Sequence, residues 1–112
     1  MFITDKIWKL LEPASAIGDT ITREEIEQGL KIGMYKMFNN EDSVAITADH
    51  RGVLRIGVAG GNINSLIKIE KDIIKYAKEK KYKCVDILGR IGWEKSLKGY
   101  KRKAVLLRKE IA

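Results

Sequence analysis

Apolar positions along this chain recur with two periods, one of 3.6 residues and one of two, and the switches between them divide it into elements. The first helical stretch is D5-K-I-W-K-L-L-E, with an apolar face of Ile7, Trp8, Leu10 and Leu11. Thr4 or Asp5 supplies its N-cap, and Pro13 closes it from behind. After a loop, A14-S-A-I-G-D-T, Thr22 and Glu25 form a capping box, and Ile21 with Ile26 fits a hydrophobic staple. Gly33 is the stop for a helix from Arg23 to Ile32. Three strands follow: M34-Y-K-M-F, S43-V-A-I-T-A-D and V53-L-R-I-G-V-A. The short turns N39-N-E-D and H50-R-G between them predict an antiparallel meander. The third strand is apolar on both faces apart from Arg55, which predicts a central position in the sheet.

Gly60-Gly61 then reads as a turn, leading through Asn62 into a helix from Ile63 to Lys80. Apolar residues at 63, 66, 67, near 70, 73, 74 and 77 give that helix one buried face. The other carries Lys68, Lys71, Lys75 and Lys78, with Asp72 and Glu79 as i,i+4 partners of Lys68 and Lys75. C84-V-D-I-L reads as a strand, W93-E-K-S-L-K as a short helix, and Tyr100 to Ile111 as a final long strand. The order is α-α-β-β-β-α-β-α-β in one domain of the α/β (α+β) class: a meander followed by a right-handed parallel βαβ crossover. A glycine turn entering a helix is expected to leave backbone N–H groups free for a phosphate.

Composition narrows the classes. With 112 residues, 45% apolar and 33% charged, the chain suits one soluble globular domain. No apolar run reaches the ~18–20 residues of a membrane span. M1-F-I-T-D-K-I-W-K lacks the basic and apolar regions of a signal peptide, so none is expected. The single Cys84, placed in an apolar strand, is expected to be a buried inert thiol in a reducing, intracellular setting. The net charge of +7 is uneven: residues 1–62 carry 7 Lys+Arg against 9 Asp+Glu, and residues 63–112 carry 15 against 6. A basic half can serve nucleic acid or a phosphorylated ligand. Yet Lys and Ile each occur 16 times, as an AT-rich genome would give, and Arg occurs only 6 times.

V53-L-R-I-G-V-A-G-G-N-I-N, K75-Y-A-K-E-K-K-Y, V85-D-I-L-G-R-I-G-W-E-K-S-L-K-G-Y and V105-L-L-R-K-E-I resemble small phage-encoded proteins of the GNAT-like N-acetyltransferase superfamily, over roughly residues 20–112. The G89-R-I-G-W module carries most of that resemblance. It implies a GNAT-like mixed sheet that holds acetyl-CoA where the two parallel strands splay, and a protein acting in the cytoplasm of the host cell or associated with the virion. Carried over, the pantetheine arm would lie along Ile56, Gly57, Val58 and Ala59. The pyrophosphate would meet the N–H groups of Gly60, Gly61, Asn62, Ile63 and Asn64. An amine would take the acetyl group. The chain departs from the superfamily signature Arg/Gln-x-x-Gly-x-Gly/Ala, matching only at Gly60 among Gly57, Gly60 and Asn62. Trp93 stands where a Tyr often protonates the thiolate, and Trp cannot act as an acid. A catalytically silent GNAT-like binding module is therefore the alternative.

Candidate chemistry is sparse. His50, the only histidine, has a suitable pKa for a general base but sits in a turn expected to face solvent. Asp86 is either a carboxylate base or half of a salt bridge, and Tyr100 is the phenol nearest the missing acid. Arg90, between Gly89 and Gly92 in front of Trp93, is a candidate anion ligand or a structural bridge. Trp8 and Trp93 read as core or subunit-interface aromatics, and an exposed apolar rim would favour a homodimer. Ser65 and Cys84 lack partners for nucleophilic catalysis, and no Cys/His spacing suggests a metal. Nucleic-acid binding would rest on the lysine stripe with K101-R-K and R108-K, a basic patch giving weak, salt-sensitive attachment.

Overall fold

The computed structural model describes residues 3–15, 21–87 and 97–102, together with Leu107, Lys109 and Ile111. Its elements run α1 (Asp5–Ser15), α2 (Arg23–Lys31), β1 (Tyr35–Asn39), β2 (Ser43–His50), β3 (Val53–Gly61), α3 (Ile63–Glu79) and β4 (Cys84–Ile87). The fold is α+β: a four-stranded mixed sheet in the order β1-β2-β3-β4, with three helices. β1, β2 and β3 pair antiparallel and β4 joins β3 in parallel, so β3 is interior as its two-sided apolar pattern predicts. The short helix expected from Trp93 falls almost wholly outside the described residues. Of the final strand, Tyr100, Lys101, Arg102, Leu107, Lys109 and Ile111 are described, and none belongs to a strand.

Local sequence chemistry sets most of the boundaries. Thr22 Oγ1 accepts the Glu25 N–H while the Glu25 carboxylate accepts the Thr22 N–H, which completes the capping box. Gly33 has φ +81°, the left-handed geometry that ends α2. Thr4 rather than Asp5 caps α1, through Oγ1 and the Ile7 N–H. Asp5 instead pairs with Arg23 at 2.7 Å, and Arg23 also reaches Glu27 and the Ile3 carbonyl, tying α1 to α2. Pro13 does not end α1, which continues to Ser15; a proline this late removes only one intrahelical bond of a helix already formed. Arg51 and Gly52 both have positive φ, as a two-residue hairpin turn of the type I′ class requires.

The sheet separates two cores. α3 covers one face with Leu66, Ile69, Ile73 and Ala77 packed on Ala45, Leu54 and Ile56. α1 and α2 cover the other, where Ile3, Leu11 and Ile26 meet Val44 and Ile46, with Trp8 half-buried beside them. Trp8 donates its indole N–H to Glu12 at 3.1 Å. The buried Ser43 and Thr47 hydroxyls donate to Asn40 Oδ1 and the Lys36 carbonyl, so neither is left unpaired.

Two expectations are corrected. Gly60 and Gly61 are not a turn: they are the last residues of β3, opposite Val44 and Ser43. The pairing with β2 and the close approach of α1 hold the strand together there, with Gly61 at φ +116°, a conformation glycine alone adopts readily. A Cβ on Gly60 would run into the Leu10 carbonyl, and one on Gly61 into the Asp42 carbonyl. Cys84 is exposed rather than buried, because β4 is the last strand in the sheet order and Cys84 is its first residue.

Candidate functional site

Gly57 has no partner on β2. Thr47 pairs with Ile56 and Ile46 with Val58, so one extra residue is inserted in β3. The insertion switches the alternation of the strand: Leu54 and Ile56 face α3, Val58 faces α1 and α2, and Ala59 faces α3 again. On its other edge β3 pairs with β4 from Val53 to Ile56, which oppose Cys84 to Ile87, the last described residue of that strand. From Gly57 to Gly61 that edge has no partner strand among the described residues. The bulge directly follows the last described β3–β4 pair, Ile56 with Ile87, so among the described residues this edge of β3 is open from Gly57 onward, where Ile56, Gly57, Val58 and Ala59 were singled out. A Cβ at Gly57 would meet nothing within 4 Å.

Beneath this opening, Ile56, Ala59, Ile69, Glu70, Ile87 and Leu97 line a cavity of about 20 Å³, enough for one water molecule. The Tyr100 hydroxyl donates to Glu70 at 3.1 Å. Burial, then the Glu70 charge, holds the Tyr100 phenol protonated well above its ordinary range. Sequence reasoning missed Glu70, since it falls within the apolar stripe at the one position filled by a carboxylate. That mismatch was the available signal.

Two of the N–H groups expected to meet a phosphate, those of Asn62 and Asn64, are bonded within the chain. The Asn62 side-chain oxygen accepts the N–H groups of Asn64 and Ser65 at 2.9 and 3.3 Å. The Asn62 N–H itself donates to the Asp42 carbonyl at 3.1 Å. Asn40 binds the Ser65 carbonyl, which locks the β1–β2 turn to the first turn of α3. The turn residues Glu41 and Asp42 bring negative charge close to where a phosphate would sit. Ile63 is exposed at the start of α3.

The remaining candidates lie apart. Asp86 is held by Arg55 in a bidentate pair, with both contacts at 2.9 Å. Val85 and Ile87 pack on the α3 side, so Asp86 projects from the opposite face. His50 is exposed at the end of β2, at the far end of the sheet from Gly57–Gly61. Gly89, Arg90, Gly92 and Trp93 lie outside the described residues. Among those described, no cluster of three His, Cys, Asp or Glu is arranged to hold a metal, and no helix is long and apolar enough to cross a membrane. No protein-family model, curated protein or solved structure matches the chain.

Proposed function

We propose that this protein is a GNAT-like fold that binds acetyl-CoA along the free edge of β3 and transfers the acetyl group to an amine. The observation supporting this most directly is the run of β3 from the bulge at Gly57 to Gly61, whose outer edge has no partner strand among the described residues. An extended arm carrying amide groups satisfies such an edge as a strand would. In the reaction the amine nitrogen bonds to the thioester carbonyl carbon, the C–S bond breaks, and the proton lost by the amine is balanced by one gained at the thiolate. Among the described residues, Glu70 lines the cavity and is hydrogen-bonded to Tyr100, and this pair supplies the proton exchange.

A second reading has its own support. Asp86 is engaged by Arg55, and the capped start of α3 offers a pyrophosphate few free N–H groups. These features suit a binding module without catalysis. Calorimetric titration with acetyl-CoA, followed by a thiol-release assay with a panel of amines, separates the readings. Heat and thiol release support the enzyme, whereas heat alone supports the module. If millimolar acetyl-CoA gives no heat, the enzyme reading falls and the module remains. Gly57→Val tests the location: the site has open space, so the fold should hold while affinity drops at least tenfold.

A further inference from the structure

The exposed face of α3 lies on the opposite side of the helix from the residues that pack on the sheet. At about 100° per residue, Lys68, Lys71, Lys75 and Lys78 fall within about 80° of arc, opposite the buried Leu66, Ile69, Ile73 and Ala77. They span about 15 Å along the axis. Asp72 and Glu79 lie to one side of that arc, and among the described residues no ion pair joins any of the four lysines to a carboxylate. The basic line continues past the helix end. Lys80, Lys81 and Lys83 are exposed, and the Lys83 N–H donates to the Gly52 carbonyl, fixing this segment against the β2–β3 turn that carries Arg51.

From this we infer that the outer face of α3 is a docking surface for the phosphate backbone of double-stranded nucleic acid, bound without regard to sequence. The partner follows from the shape and chemistry of the charge. A straight, rigid row of cations matches a linear array of phosphates better than it matches a single phosphorylated group. Lysines act as point charges and reach backbone phosphates, whereas paired readout of bases favours arginine. The arc holds no aromatic side chain on which unpaired bases could stack, and no apolar one to enter a bilayer. The surface is independent of the acetyl-CoA reading, because the row leads away from the Gly57–Gly61 opening toward the end of the sheet where β3 and β4 begin.

The test is fluorescence anisotropy of the full chain with a labelled mixed-sequence duplex, from about 50 to 200 mM salt. Four phosphate contacts predict a slope of about −3.5 in log K against log salt, a loss of about a hundredfold across that range. Lys71→Gln/Lys75→Gln should reduce the slope by about 2, while Lys9→Gln/Lys31→Gln, with the same loss of charge on α1 and α2, should leave it unchanged. All four residues are exposed, and circular dichroism confirms that the variants stay folded. The inference is overturned if the wild type does not bind at about 50 mM salt, or if both double variants lose affinity equally. Tighter binding to a single strand, or to vesicles of anionic lipid at the same salt, overturns it as well.

Discussion

Glycine at position 60 is required by contact rather than by conformation. Its φ is ordinary, but the Leu10 carbonyl of α1 occupies the space that a Cβ would need. Gly60→Ala must push α1 off the sheet, with an expected loss of about 2–4 kcal/mol in a denaturant melt. Gly57→Ala, in open space, should stay within about 0.5 kcal/mol of the wild type. Equal losses in the two variants would contradict the packing described. The sequence offers both residues as glycines in one strand and does not distinguish them. What differs is that α1, a remote segment, reaches Gly60 while nothing among the described residues approaches Gly57. The same holds for Glu70 and Asp86, whose partners Tyr100 and Arg55 stand about 30 residues away in the chain.

Elements are where local chemistry speaks most directly. The Thr22–Glu25 box, the Gly33 stop and the periodicity of α3 involve residues within a few positions of each other, so they are legible without the fold. The α3 N-terminus was legible as a helix start, but not that Asn62 caps it from within the chain, taking the Asn64 and Ser65 N–H groups. The segment after residue 96 is tied to α3 by the Tyr100–Glu70 bond, and this link has a pH signature. Burial first, and then the Glu70 charge, raise the Tyr100 pKa in the folded state. The stability this contributes is fully present below the unfolded value of about 10 and is lost as pH rises above it. Thermal melts between about pH 8 and 11 should therefore show an alkaline fall in Tm that is smaller in Tyr100→Phe. Identical alkaline limbs would place Tyr100 in solvent. At the acid end, the Arg23 hydrogen bond lowers the Asp5 pKa, so that pair's contribution is present above about pH 4 and fades as pH falls through the folded value.

At the scale of the whole molecule, one sheet serves two cores. Ile73 is 1% exposed against one face and Leu11 is 0% exposed against the other. Ile73→Ala should cost about 2–5 kcal/mol and lower a single calorimetric transition as a unit, because both cores depend on β2 and β3. A split transition would mean that the faces fold independently.

The amino-acid sequence by itself determined the element order through α3, the antiparallel meander, the central place of β3 and the parallel crossover. These depend on period, caps and turn residues that act over a few positions. Tertiary structure alone decided that Gly60 and Gly61 lie within β3, that Gly57 forms a bulge in it, and that Cys84 is exposed. It also decided which carboxylates have partners. Those outcomes depend on strand register and on the approach of α1, contacts between segments far apart in the chain, which no local pattern encodes.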